Sequence, residues 1–228
     1  KAVSVSATDS AGNTGSGSRT VTFDFTAPTI SSLTVNPTIA KSGTNLTVTF
    51  TVSETLQANP SVTVAANGAT FSSKSGNNYT YTYTVQGTEG EGSKAVSVSA
   101  TDLAGNTGSG NGMVTFDFTA PTISSLTVNP TIAKSGANLT VTFTVSETLQ
   151  ANPSVTVAAN GATFSSKSGN NYTYTYTVQG TEGEGSKAVS VSATDLAGNT
   201  GSGNGMVTFD FTAPTISSLT VNPTIAKS

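Results

Sequence analysis

Apolar and polar residues alternate along much of this chain. In NLTVTFTVS (Asn45–Ser53), Leu46, Val48, Phe50 and Val52 take alternate positions, with threonines between them. Successive side chains of a strand point to opposite faces, so this pattern is typical of a strand with one buried face. Between residues 28 and 120 the sequence predicts seven strands and no helix: Thr29–Val35, Asn45–Ser53, Ser61–Ala66, Ala69–Ser73, Tyr79–Val85, Lys94–Thr101 and Met113–Phe118.

Turn residues separate these runs. Asn36-Pro37 follows the first predicted strand, and Asn67-Gly68 lies between the third and the fourth. Asn-Gly is a strong signal for a two-residue hairpin turn, because both residues tolerate a positive φ. We therefore expect the third and fourth strands to form a hairpin about Asn67-Gly68.

The sequence repeats almost without change. KAVSVSATD begins at Lys1, Lys94 and Lys187, which gives a period of 93 residues. Across the whole overlap the copies differ at five positions: Ser10/Leu103, Ser18/Asn111, Arg19/Gly112, Thr20/Met113 and Thr44/Ala137. This period is too long for a solenoid unit and suits a small domain.

Seven alternating strands in a repeat of this length predict an all-β, immunoglobulin-like sandwich. The predicted organisation is an extended array of tandem domains. Residues 28–120 and 121–213 form complete repeats, residues 1–27 supply the last strands of a truncated repeat, and residues 214–228 supply the first strand of another. The partial repeats lead us to expect a window on a longer chain, or strand exchange between molecules through the incomplete domains.

Composition narrows the functional classes. The net charge is −3 and no basic run occurs, so nucleic acid is not an expected partner, and no apolar run reaches the ~20 residues of a membrane helix. Cys, His and Trp do not occur, which removes thiol nucleophiles, imidazole bases, disulfides and metal sites built from His or Cys. Near-identical tandem copies are also unusual in enzymes, and we expect no catalytic activity.

Acidic residues gather at the predicted turns. Because successive strands run antiparallel, alternate turns lie at the same end of a sandwich, and we expect stacked repeats to bring acidic ends together. One predicted set is Asp24, Glu54, Asp102 and Asn106; the next joins Glu89, Glu91 and Asp117 with Glu147, Asp195 and Asn199. Carboxylates gathered in one place repel one another, and a bound cation relieves that repulsion. Calcium takes six to eight oxygen ligands, so these sets are candidate interdomain calcium sites.

A simpler interpretation remains open for the same residues. Asp102 and Asn106 also suit the cap of their own turn, since Asx side chains hydrogen-bond to nearby backbone. Acidic residues in general prefer solvated turns. Neither interpretation is decided by the sequence.

Tyr79, Tyr81 and Tyr83 alternate with threonines along one strand. Aromatic residues in this pattern usually form the core face of the strand. The alternative is an exposed platform that binds a carbohydrate or a protein. The exposure of these rings separates the two interpretations.

SATDLAGNTG, FTVSETL, NPSVTV and DFTAPT together resemble the bacterial Ig-like repeats of large surface adhesins. The resemblance covers both full repeats and both partial ones. It implies an extracellular or cell-surface bacterial protein, with calcium between domains in some members. Many relatives carry Thr where this chain has Phe25 and Phe118. The predicted function is therefore a structural stalk, spacer or filament segment whose partners are its neighbouring repeats.

Overall fold

The computed structural model describes residues 1–220 and residue 222. This part of the chain consists of strands and turns without a helix, as the alternation predicts, and so holds no helix suited to crossing a membrane. The strands are β1 (Ala2–Thr8), β2 (Thr14–Thr20), β3 (Ile30–Asn36), β4 (Ile39–Ala40), β5 (Asn45–Val52), β6 (Ser61–Val64), β7 (Asn67–Gly68), β8 (Thr70–Ser75), β9 (Asn78–Thr84), β10 (Gly92–Thr101), β11 (Thr107–Phe116), β12 (Ile123–Asn129), β13 (Ile132–Ala133), β14 (Asn138–Val145), β15 (Ser154–Val157), β16 (Asn160–Gly161), β17 (Thr163–Ser168), β18 (Asn171–Thr177), β19 (Gly185–Thr194) and β20 (Thr200–Phe209).

The chain divides into two compact units, Lys1–Phe118 and Thr119–Ser228. The first contains the hairpin β1-β2, a four-stranded sheet in the order β3-β5-β9-β8 and a five-stranded sheet in the order β4-β11-β10-β6-β7. The second repeats the two sheets as β12-β14-β18-β17 and β13-β20-β19-β15-β16. Neighbouring strands are antiparallel except for β4 with β11 and β13 with β20. Each unit is thus an immunoglobulin-like sandwich.

The inward faces of the two sheets form one core in each unit. On β5, the side chains of Leu46, Val48, Phe50 and Val52 are at most 2% exposed. They join valines and Ala100 of β10 and β6 in one buried cluster. Burial of apolar surface contributes about 25 cal/mol per Å², so this alternation is the main stabilising feature of the unit.

The hairpin predicted at Asn67-Gly68 is wrong. Val64 pairs with Asn67, so the two-residue turn consists of Ala65 and Ala66, with φ values of 49° and 65°. The next strand, β8, joins the other sheet, where Phe71 packs edge-on against Tyr81 at 5.6 Å between ring centroids. Packing across the sandwich has overridden the local turn preference of Asn-Gly.

The strand β11 begins earlier than the sequence predicts, at Thr107 instead of Met113. Its added part, TGSGNG, is rich in glycine and looks like a loop. The strand β3 and the residues just before it cross this part closely. A Cβ added at Gly108 would lie 1.7 Å from the carbonyl oxygen of Pro28, and one added at Gly110 would lie 2.7 Å from Cγ2 of Ile30. The glycines therefore mark close contact between the two sheets.

The strand expected within residues 214–228 falls partly outside the described residues. Residues 214–220 form no strand. Of the equivalent strands, β3 pairs with β5 and β12 pairs with β14, whereas residues 214–220 pair with no described strand.

Gly110→Ala is expected to lower the free energy of unfolding by roughly 1–3 kcal/mol, because the new methyl group forces Ile30 and β3 away from β11. Gly68→Ala is the control, since an added Cβ there has no atom within 4 Å. Urea denaturation of both variants measures the difference. Equal stability of the two variants would contradict the close-packing explanation.

Ala66→Gly is expected to stabilise the first unit by roughly 0.5–1 kcal/mol. Relief of a left-handed Ala conformation is worth ~1–2 kcal/mol, and the greater freedom of Gly in the unfolded chain offsets part of it. Ala95→Gly on the exposed, extended part of β10 is the matched control and should destabilise. A loss of stability in both variants, measured by thermal unfolding, would show that the Ala66 turn is unstrained.

Candidate metal centre

The TDLAGN segment forms a tight turn around the carboxylate of Asp102. Its Oδ1 accepts backbone N–H groups from Ala104 and Asn106, both at 2.8 Å, and its Oδ2 accepts the Asn106 side-chain amide at 2.8 Å. Asp102 is only 1% exposed. These bonds, led by the one from the Asn106 side chain, lower the pKa of Asp102, so the carboxylate stays ionised.

The same turn occurs in the other copies of the segment. Asp195 accepts the backbone and side-chain amides of Asn199, each at 2.8 Å, and Asp9 accepts those of Asn13 at 2.8 and 2.9 Å. Asp9 is exposed in the hairpin β1-β2, yet its turn is unchanged. The turn-capping interpretation of this Asp and Asn pair is therefore confirmed, and the turn depends on local sequence.

Asp102 also belongs to a group of three carboxylates within the first unit. Asp24 follows β2, Glu54 follows β5 and Asp102 follows β10. One carboxylate oxygen of each lies within 4.8 Å of the other two. Burial, then repulsion by Asp102 and Asp24, raises the pKa of Glu54. The group is a compact, mutually repelling set of oxygen ligands.

Asn106 connects this group to the segment that carries Asp24. Its side-chain amide donates to the backbone carbonyl of Asp24 at 3.2 Å, as well as to Asp102. Oδ1 of Asp24 accepts the backbone N–H of Thr26 at 3.0 Å. The structure thus brings together the whole first set that the sequence predicts.

In the second unit, Glu147 and Asp195 occupy the positions of Glu54 and Asp102. One oxygen of Glu147 lies within 4.8 Å of one oxygen of Asp195. Asp195 is fully buried, and Asn199 caps it. Asp117, the counterpart of Asp24 by the repeat, belongs to the first unit.

Glu89 has a different environment from the one expected of a calcium ligand. Its Oε1 accepts the hydroxyl of Tyr83 at 2.6 Å and the backbone N–H of Gln86 at 2.7 Å. Glu182 repeats this arrangement with Tyr176 and Gln179 at 2.6 and 2.8 Å. In the described part of the chain, neither glutamate belongs to a group of three acidic residues.

These contacts shift the pKa values of both partners. Burial alone would raise the pKa of Glu182, but hydrogen bonds from Tyr176 and from backbone N–H groups outweigh it and lower the pKa to about 2. Burial and the bond to Glu182 raise the pKa of Tyr176 to about 12. The pair holds the loop that follows β18. The sequence offered a weak signal for it, a tyrosine six residues before a glutamate in a glycine-rich turn.

Glu91 contacts the segment that follows β11. Its Oε1 accepts the backbone N–H of Phe118 at 2.8 Å, and Glu184 accepts that of Phe211 at the same distance. Sequence reasoning placed Glu91 among the calcium ligands and missed this backbone contact. A backbone acceptor leaves no residue pattern of its own.

The three tyrosines of β9 face the core. Tyr79, Tyr81 and Tyr83 are 2%, 3% and 7% exposed, and Tyr79 stacks on Phe50 at 5.6 Å between centroids. The hydroxyl of Tyr81 donates to the carbonyl of Pro60. The core interpretation is confirmed, and the alternative of a carbohydrate- or protein-binding module that uses this face is wrong.

Comparison with solved structures agrees with the fold. A Ca²⁺-stabilised adhesin that helps an Antarctic bacterium reach out and bind ice superposes with a TM-score of 0.51 and 18% identity, over 93% of this chain and 57% of that chain. An I-band fragment of titin gives a TM-score of 0.51 and 11% identity, over 82% of this chain and 66% of that chain. A tetra-tandem repeat from the extending region of a large adhesion protein is 26% identical over 92% of this chain and 56% of that chain, with a TM-score of 0.34.

The Antarctic adhesin and the titin fragment share with this chain an immunoglobulin-like fold. No protein-family model matches the sequence, and no curated protein matches it. The chain spans little more than half of the Antarctic adhesin structure.

The Tyr176–Glu182 pair predicts an acid-dependent stability. The pKa of Glu182 in the folded chain is about 2, below its usual 4.5. Its contribution to the free energy of unfolding is therefore complete above pH 4.5 and is lost as the pH falls toward 2. The pair Tyr83–Glu89 acts in the same direction. Urea denaturation at several pH values should show a smaller acid loss in the double variant Glu89→Gln, Glu182→Gln than in the unmodified chain.

Acid also protonates the other carboxylates, so the quantity to compare is the difference in free energy of unfolding between the unmodified chain and the double variant. That difference should be large at pH 7 and shrink toward pH 2. Parallel curves across this range would mean that neither glutamate is bound to its tyrosine in solution.

Proposed function

We propose that this chain is a structural, non-catalytic repeat array, a stalk, spacer or filament segment of an adhesin-like protein at the bacterial cell surface or outside the cell. The supporting observation is that near-identical 93-residue sequence repeats underlie two sandwiches with the same strand order. An array of this kind gains length by adding domains, and each domain needs only its own core. The proposed repeat limits are 28–120 and 121–213, with partial repeats at 1–27 and 214–228.

The chemistry of the side chains supports a structural function. The most buried carboxylates, Asp102 and Asp195, have their oxygens engaged by the amides of their own turns. The aromatic rings of β9 and β18 pack in the cores. These groups are used to build the domain, and the chain contains no His or Cys that would supply a base or a thiol nucleophile.

Asp24, Glu54 and Asp102 fit a calcium ion. They supply three carboxylates whose oxygens lie within 4.8 Å of one another, next to the Asn106 amide. Calcium prefers such oxygen donors and would offset the repulsion from Asp102 and Asp24, which adds to the effect of burial in raising the pKa of Glu54. When bound, calcium would supply positive charge and rigidity, and Asp24, Glu54 and Asp102 would hold it. By the repeat, Asp117, Glu147, Asp195 and Asn199 form the equivalent proposed set.

Calcium binding to the unmodified chain is expected to raise the melting temperature by several degrees. A ligand bound only to the folded state at ten times its Kd adds about 1.4 kcal/mol. The double variant Glu54→Gln, Glu147→Gln removes one carboxylate from each proposed set and should lose most of the shift. Asp210→Asn is the control, because it removes the same kind of charge outside both sets. Melts in chelator and in millimolar calcium measure the effect.

Small-angle scattering of the same samples tests the array. We expect the scattering profile of an extended rod. Calcium should narrow the range of interdomain angles that contribute to this profile. Compact, side-by-side domains would overturn the proposal of a spacer. Identical melts with and without calcium would refute the calcium proposal, and the acidic groups would then be ordinary solvated turns.

A further inference from the structure

The segment that leaves each sandwich is held by two consecutive backbone amides. In the first unit, the N–H of Asp117 donates to the carbonyl of Ala40 at 3.0 Å, and the N–H of Phe118 donates to Oε1 of Glu91 at 2.8 Å. In the second unit, Asp210 and Phe211 make the same two bonds, to Ala133 and Glu184, at the same distances.

An aromatic ring secures the same point. Phe118 packs against the core of the first unit and lies 5.9 Å from Phe116 between ring centroids. Phe211 lies 5.8 Å from Phe209 in the second unit. Phe25 occupies the same place in the sequence after β2, and its ring is 85% exposed.

These contacts fix the residue between them. The backbone has two soft dihedral angles per residue, and the amides on either side of the Asp117 Cα are both anchored. With both anchored, the direction of the Cα–Cβ bond of Asp117 is set by its own sandwich. The anchors come from different places in the chain, since Ala40 ends β4 and Glu91 lies in the loop before β10.

We propose that Glu91 and Glu184 are positioning residues, which orient the exit segment of their repeat and so aim the acidic side chain that it carries. This inference rests on the proposed function, because the aimed residue is the Asp117 of the proposed calcium set. It assigns Glu91 a backbone contact in place of the metal contact that the sequence suggested.

In the second unit, the contact between Glu184 and the exit segment includes a further residue. Oε1 of Glu184 also accepts the hydroxyl of Thr212 at 2.7 Å, and the backbone N–H of Thr212 donates to Oδ1 of Asp210 at 3.1 Å. The bond from Thr212, followed by the one from the Phe211 amide, lowers the pKa of Glu184. One glutamate therefore organises two residues beyond the last strand.

The direct test compares Glu91→Ala with Glu91→Gln in the 228-residue chain. Gln keeps an oxygen that accepts the Phe118 amide, whereas Ala removes it. Amide hydrogen exchange in chelator should be about tenfold faster for Phe118 in the Ala variant and close to the unmodified rate in the Gln variant. The amide of Val98 in the core serves as the control for folding. An unchanged Phe118 rate in the Ala variant would overturn the proposal.

Calcium affinity, measured by titration calorimetry, separates positioning from direct ligation. A positioning residue predicts several-fold weaker binding at the proposed set that contains Asp117 in the Ala variant, and near-normal binding there in the Gln variant. Equal weakening in both variants would identify Glu91 as a ligand and overturn the assignment. If the unmodified chain binds no calcium, the calcium proposal fails alone, since the exchange experiment in chelator still decides the role of Glu91.

Discussion

The two sheets of each unit approach so closely that the first half of one strand, β11 or β20, has glycine at the positions that face the other sheet. At Gly108 and Gly110 there is no room for a Cβ beneath β3. This contact places β3 across β11 and lets the apolar positions of β5, β9 and β10 meet in one core. It also determines where the chain enters the sandwich, and hence where the acidic turns at that end lie.

The packing of the core leaves few positions for charged side chains. Strand positions alternate between buried apolar side chains and outward threonines, so most carboxylates occupy turns and linkers. There they take different partners: Asp102 binds the amides of its own turn, Glu89 binds a tyrosine hydroxyl, and Glu91 binds the backbone of the exit segment. Three acidic residues that look alike in the sequence therefore have three different physical roles.

Sequence reasoning succeeds where the signal is periodic and fails where it depends on contacts across the sandwich. The alternation in Asn45–Ser53 predicts β5 and its buried face, and the 93-residue period predicts two copies of one fold. The turn at Ala65-Ala66 was missed because local preference favours Asn67-Gly68, while the transfer of β8 to the opposite sheet is a long-range effect. The early start of β11 was missed because glycine is read as loop when the strand above it is unknown.

The candidate site shows the same division. Antiparallel topology was enough to bring Asp24, Glu54 and Asp102 to one end, since it decides which turns share an end. It gave no information about Glu89, whose carboxylate accepts the hydroxyl of Tyr83 and the backbone N–H of Gln86. Which partner a carboxylate in a turn takes depends on distances of a few ångströms, which residue order does not encode.

The TDLAGN turn has a consequence for how an ion would bind. The turn around Asp9 has the same hydrogen bonds as the turn around Asp102, although Asp9 is exposed and Asp102 is buried beside two further carboxylates. Its conformation is therefore complete before any other acidic residue approaches. A cation that meets Asp102 finds a ligand whose ordering cost has already been met by backbone amides, and preorganisation of this kind favours binding. The oxygens of Asp24 and Glu54 already lie within 4.8 Å of an oxygen of Asp102. The affinity of the proposed site for a cation would therefore depend on how firmly the linker that carries Asp24 is held there.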